Sequence, residues 1–137
     1  MARLGPVARF VAYGVGGSFV EAAFTSAVAS QGAGRPVLRG PSTPLMIGLY
    51  GLALPLFEPV HDHVRSRPVW QRASIYAVGI VGVEAISGWA LRRWTGRVPW
   101  EYRSGLALDG VTRLDYVPLW ALLGLVAERV HDGLVGR

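Results

Sequence analysis

The sequence predicts an all-α integral membrane protein, with four transmembrane helices arranged as two parallel-repeat helical hairpins in one membrane domain spanning residues 1–137. Three observations lead there. First, the chain is 51% hydrophobic and only 17% charged, with mean hydropathy +0.33, whereas a soluble domain carries about 25% charged residues. Second, the apolar residues gather into four stretches, each roughly the 20 residues that a helix needs to cross the hydrocarbon core. Third, the chain repeats itself. Tyr13-Gly14-Val15-Gly16 … Val20-Glu21-Ala22 and Tyr76-Ala77-Val78-Gly79 … Val83-Glu84-Ala85 share Y-x-V-G-x-x-x-V-E-A. Further on, Glu58-Pro59-Val60-His61-Asp62 and Glu128-Arg129-Val130-His131-Asp132 share E-x-V-H-D.

The first span is expected over Arg9–Ser30, with Gly14, Ser18 and Gly17, Glu21 forming small-residue rows that let another helix approach closely. It is too long for the apolar core of a cleavable signal and carries Glu21, so it reads as a span. A loop rich in Gly and Pro follows, Gln31–Ser42. The second span is expected over Thr43–His63, kinked by Pro55 and Pro59. After a short arginine-bearing connector, the third span is expected over Ala73–Leu91, closed by Arg92-Arg93-Trp94. The segment 95–113 is too polar to span and rich in aromatic residues. Trp and Tyr suit the headgroup layer, so it is expected to lie at the interface or to dip back into the protein. The fourth span is expected over Leu114–Leu134, with Pro118 near its start, where proline is tolerated.

The repeats therefore cover 9–63 and 72–134. Each is a hairpin, so both have the same membrane orientation, and the pseudo-two-fold axis runs along the membrane normal. Four spans put both termini on one side. The 14 basic residues are all arginine; seven fall on each side, so the positive-inside rule selects neither. Their place at helix ends, with no basic run interleaved with stacking aromatics, speaks against nucleic-acid binding. With no cysteine, disulfides and thiol chemistry are excluded.

Acids inside apolar segments are expensive. Glu21 and Glu84 each lie twelve residues beyond a flanking arginine, a depth of ~18 Å at 1.5 Å per residue. They are expected to serve either as hydrogen-bonded helix glue or as an intramembrane acid pair for a proton, cation or amine. Two facing carboxylates cannot both ionise cheaply, which makes one a proton acceptor.

On a helix, Glu58, His61 and Asp62 share one face, as do Glu128, His131 and Asp132. These sets read either as solvated interfacial helix ends or as metal ligands. Carboxylate metalloproteins of the four-helix type use a Glu from each of two helices and Glu-x-x-His from the other two. Glu21, Glu84, Glu58/His61 and Glu128/His131 supply that inventory, although the single glutamates should sit ~9 Å deeper than Glu58 and Glu128. The third group is Trp100-Glu101-Tyr102 with Asp109 and Asp115, an aromatic belt or a lid beside Arg92 and Arg93, which are suited to an anion such as lipid phosphate. No phosphate loop or nucleophile elbow occurs in the chain.

With these residues in place, the chain resembles small four-span proteins that include vertebrate transmembrane protein 229 and the bacterial CmpB-like family of type IV ABC-transporter permeases. The resemblance is carried by Tyr13–Glu21, Thr43-Pro44-Leu45 … Tyr50-Gly51, Val83-Glu84 … Gly88-Trp89 … Arg92-Arg93, and above all Pro99-Trp100-Glu101-Tyr102 … Gly110 … Leu114-Asp115-Tyr116 … Pro118-Leu119-Trp120. The family usually has W-D-Y where this chain has Trp100-Glu101-Tyr102, and often an asparagine where this chain has Asp109. What the resemblance implies is a multi-pass fold and a membrane location, with ATPase subunits, for any ABC role, supplied by separate chains.

The expected function is that of a membrane-embedded binding or transport-associated component, with Glu21 and Glu84 as the acid site and the Trp100–Tyr102 loop as its lid. The alternative is a membrane enzyme acting on lipid, with the Glu/His/Asp clusters binding a divalent metal or working as acid and base. A scaffold whose acids serve only helix pairing is the third reading. The expected partners are the lipid bilayer and, through the glycine rows of spans one and three, a second copy of the chain.

Overall fold

A computed structural model describes residues 3–33, 43–98, 100–103 and 105–137. The chain is mainly helical: α1 (Pro6–Ala33), α2 (Thr43–Gly51), α3 (Ala53–Val64), α4 (Val69–Thr95) and α5 (Val117–Val135). Between α4 and α5 lie two short strands, β1 (Ala107–Leu108) and β2 (Thr112–Arg113), and a 3-10 turn, Leu114–Tyr116. The chain divides into two compact units, Met1–Pro59 and Val60–Arg137.

In the first unit α1 packs on α2. The close approach depends on missing side chains: a Cβ on Gly14 would sit 2.5 Å from the Ile47 carbonyl oxygen, and one on Gly51 would run into the Phe10 ring. The expected second span is interrupted at Leu52, although the Leu52 N–H still reaches the Gly48 carbonyl and the Leu56 N–H the Leu52 carbonyl. Pro55 has no N–H to offer the Gly51 carbonyl and its ring crowds that turn, so the interruption falls one turn before it.

In the second unit α4 packs on α5. Helix α4 starts directly after Pro68 and stops at Gly96, which takes a left-handed φ of 73° and returns its N–H to the Arg92 carbonyl. Helix α5 tolerates Pro118 because the first-turn N–H has no helical partner to lose. It ends at Gly136, again left-handed.

The segment between these helices corrects the all-α expectation. Asp109 and Gly110 take φ of 51° and 71°, and the Val111 N–H bonds the Leu108 carbonyl at 3.1 Å. That turn sets β1 antiparallel to β2, with Ala107 opposite Arg113. Asp-Gly is a strong hairpin signal, but the flanking strands are too short to show alternation. The hairpin folds back on α4, where Val111 joins Ala85, Val98 and Trp100 in a small core. Gly88 makes room: a Cβ there would lie 2.7 Å from the Val111 Cβ.

Buried polar groups and exposed apolar ones occur side by side. Glu58, His61, Thr112, Glu128 and His131 are buried, while Val7, Phe19, Val78 and Ile86 are each more than two-thirds exposed. Among the described residues one helix, α4, is long and apolar enough to cross a membrane. Helices α2 and α3 are divided at Leu52, and the last turns of α5 carry Glu128, Arg129 and Asp132.

Candidate polar sites in the two units

Each unit contains the same arrangement of three side chains. In the first, Arg9 grips Glu58 with both edges of its guanidinium, Nε to Oε1 at 2.8 Å and Nη2 to Oε2 at 3.0 Å, and the Tyr13 hydroxyl donates to Glu58 Oε1 at 2.9 Å. In the second, Arg72 donates to Glu128 from Nε and Nη2, both at 2.9 Å, and Tyr76 donates to Oε2 at 2.8 Å. Arginine and tyrosine stand four residues apart on α1 and α4, one turn apart on the same face. The motif extends to R-x-x-x-Y-x-V-G-x-x-x-V-E-A, since Arg9 precedes Tyr13 and Arg72 precedes Tyr76 by the same interval. Sequence reasoning passed over these two arginines; the periodicity that places tyrosine above glutamate also marks them. Both oxygens of Glu58 and of Glu128 are thus engaged by an arginine.

Glu21 and Glu84 have hydroxyl partners. Glu21 accepts a 2.6 Å hydrogen bond from Tyr50 within the first unit. Glu84 accepts from Tyr102 at 3.1 Å and from Thr112 at 2.7 Å within the second. Thr112 is fully buried, so the hairpin seals one side of the Glu84 carboxylate. The Tyr102 and Thr112 hydroxyls each donate to one of its two oxygens, which leaves lone pairs able to accept a further donor.

The segment is also bonded within itself and to α4. Trp100 donates its indole N–H to the Val111 carbonyl at 2.9 Å, and the Tyr102 N–H reaches the Gly110 carbonyl at 2.9 Å. Trp89 donates to Asp109 at 2.7 Å, and Arg92 holds both the Asp109 carboxylate, at 3.0 Å, and its carbonyl, at 2.7 Å. Arg92 thus serves the hairpin turn, whereas Arg93 is exposed. Glu101 pairs with Arg103 on the exposed side at 3.1 Å. Asp115 receives Arg113 and, at 3.1 Å, the Leu106 N–H. The hydrogen bond from Trp89, with Arg92 beside it, lowers the Asp109 pKa. Arg113 holds that of Asp115 down at about 2.

The E-x-V-H-D motifs separate by role. Beyond the latching glutamates, Asp62 takes Arg137 at 2.6 Å. In the second unit His61, His131 and Asp132 come together, with one donor atom from each within 4.8 Å of the others. The sequence did not show which members of the two motifs would meet, because each histidine lies only three residues from an acid in its own motif. Tyr50 and Thr112 also escaped sequence reasoning. Nothing local distinguishes them from ordinary polar residues.

Neither a curated protein nor a solved structure is significantly similar to the chain. Residues 8–137 match the family described as "Putative ABC-transporter type IV", the CmpB family whose motifs the sequence resembles, and the chain belongs to it.

Proposed function

We propose that this protein is a multi-pass membrane component of a transport system, built from two repeated hairpins, whose working group is the Glu84 carboxylate beneath the 96–113 loop. One observation carries the reading. Glu84 lies eight residues inside α4 from Arg92, about 12 Å along the axis, and its ligands come from a loop that re-enters to meet it. Irregular backbone at membrane depth is tolerated where it is buried in protein or lines a polar cavity. Release of Tyr102 and Thr112 would open the carboxylate to one face, so the loop acts as a gate. The exposed apolar side chains of the helices supply the lipid-facing surface. The Arg–Tyr–Glu latches fix each hairpin near one end. The family's ABC-transporter description supports separate ATPase subunits as partners.

The chain has no cysteine, so single-cysteine variants report topology without background. Cysteines at Gly5, Arg67 and Gly136 should react with a membrane-impermeant maleimide from one side, and those at Arg39 and Arg97 from the other. Labelling of all five from the same side would overturn the multi-pass reading. Purified protein in liposomes with an imposed pH gradient should then speed decay of the gradient, followed with an entrapped pH dye. Glu84→Gln should remove that effect. Equal decay for the wild-type and Glu84→Gln proteins would overturn the role given to Glu84.

A further inference from the structure

The proposed transport site leaves the buried histidines unused. His61 is 1% and His131 2% exposed, and their rings meet edge to face with centroids 4.9 Å apart. Asp132 adjoins them, its Oδ1 lying 3.2 Å from His61 Nε2.

Proton bookkeeping makes that last contact informative. Glu128 holds a bidentate arginine and is therefore a carboxylate without a proton. The Tyr76 hydroxyl has one proton, which lies on the 2.8 Å line to Glu128. Tyr76 can then only accept from His61 Nδ1, 3.0 Å away, so Nδ1 carries a hydrogen. In the neutral ring Nε2 then faces the Asp132 carboxylate as an acceptor. A cation bridging Nε2 and the Asp132 carboxylate would satisfy both.

We propose that His61, His131 and Asp132 bind a divalent transition-metal ion of the zinc class. Two imidazoles and a carboxylate suit Zn²⁺, Co²⁺ or Ni²⁺, and not Ca²⁺ or Mg²⁺, which take oxygen ligands. Tetrahedral zinc with bonds of about 2.0 Å holds its donor atoms roughly 3.3 Å apart. The set here, within 4.8 Å, is looser than that and tightens by side-chain rotation. Its outer layer is already built. The chain Arg72–Glu128–Tyr76–His61 fixes the ring orientation and tautomer of His61, as ligating histidines require. Asp132 is 28% exposed, which gives the ion an entry path and leaves a fourth position for water. The repeated E-x-V-H-D motif gains a purpose: the first copy contributes His61, the second His131 and Asp132. The site stands apart from Glu84 and does not depend on the transport reading.

The test uses full-length protein in detergent, with any affinity tag removed and metal stripped by chelator, titrated with Zn²⁺ by calorimetry and with Co²⁺ by visible absorption. One equivalent per chain should bind with a micromolar or tighter Kd, and Co²⁺ should develop the intense bands of a tetrahedral site. His131→Gln and Asp132→Asn should each weaken binding about tenfold or more. His63→Gln should leave it within about twofold. Thermal unfolding of the metal-free variants separates loss of ligand from loss of fold. No saturable binding below about 100 μM would overturn the site. Equal binding by the wild-type, His131→Gln and Asp132→Asn proteins, or loss on His63→Gln, would overturn it equally.

Discussion

Arg72 binds both oxygens of Glu128 at 2.9 Å, and Arg9 does the same for Glu58, at 2.8 and 3.0 Å. In each case a tyrosine one helical turn further along adds a third donor to the same carboxylate. A buried ion pair is not in itself a strong source of stability, because desolvating both charges offsets their attraction. What it enforces is completeness: with one partner gone, the other is left charged in an apolar setting.

Glu128→Gln should therefore destabilise the protein by about 3 kcal/mol, in the range found when one member of a buried pair is removed. Tyr76→Phe, which takes away one neutral donor, should cost about 1 kcal/mol. Arg72→Lys should fail to restore wild-type stability, since one ammonium cannot make two parallel bonds to a carboxylate. Equilibrium unfolding in mixed detergent micelles measures all three. A loss below about 1 kcal/mol for Glu128→Gln would show the latch to be a solvated surface pair.

Gly88→Ala should displace the hairpin. Its new Cβ would meet the Val111 Cβ at 2.7 Å and Cγ1 at 2.8 Å, and Val111 is fully buried with nowhere to retreat. Overpacking of this kind costs about 1–3 kcal/mol. Val111→Ala should rescue much of that loss when combined with Gly88→Ala, although alone it leaves a void. Hydrogen exchange across 105–113 reports the displacement directly. Additive penalties in the double variant would rule out the steric account.

The helical character and the recurring acids were legible because both rest on local patterns, namely apolar runs and an eight-residue interval from tyrosine to glutamate. The unlike partners of the two deeper glutamates were not. Counting back eight residues from Glu58 and Glu128 gives Tyr50 in the first repeat and Trp120 in the second. Tyr50 donates to Glu21, whereas the buried Trp120 indole N–H has no hydrogen-bond partner among the described residues. Glu84 is served by Tyr102 and Thr112, from a segment with no counterpart in the first repeat's motifs. A tertiary substitution of that kind leaves no periodic trace. The hairpin was similarly obscured: Asp109-Gly110 signals a turn, but two-residue strands carry too little alternation to announce a ladder.

Acid should loosen the hairpin before it unfolds the helices. Asp115 titrates at about 2 rather than near 3.8, and the Asp109 pKa is also lowered. A carboxyl whose folded-state pKa is depressed contributes stability that is present above its ordinary value and lost as pH falls toward the folded value. The window is therefore about pH 4 down to about pH 2. Both aspartates are exposed, so the effect should shrink in high salt. Trp89 touches Asp109, which makes tryptophan fluorescence the appropriate probe, read beside far-UV circular dichroism for the helices. Asp109→Asn with Asp115→Asn should flatten the fluorescence transition. An unchanged transition in that double variant would assign the acid effect to other groups.

Thr112→Val should open the gate without disturbing the helices. The two side chains have nearly the same shape, so the change removes one donor to Glu84 Oε2 and little else. Removing one donor from the half-buried Glu84 carboxylate costs about 1–3 kcal/mol. Because the loop is the element that can move, the cost should appear as local opening. At 1.4 kcal/mol for each tenfold, amide exchange over 98–113 should rise roughly 5- to 150-fold while that of α4 stays protected. Glu84→Ala should have a similar effect, and the double variant should lose less than the sum, by 0.5 kcal/mol or more, because both changes break the same contact. Strict additivity would mean that Thr112 and Glu84 act independently, and that the hairpin is held by Trp100, Arg92 and Val111 alone.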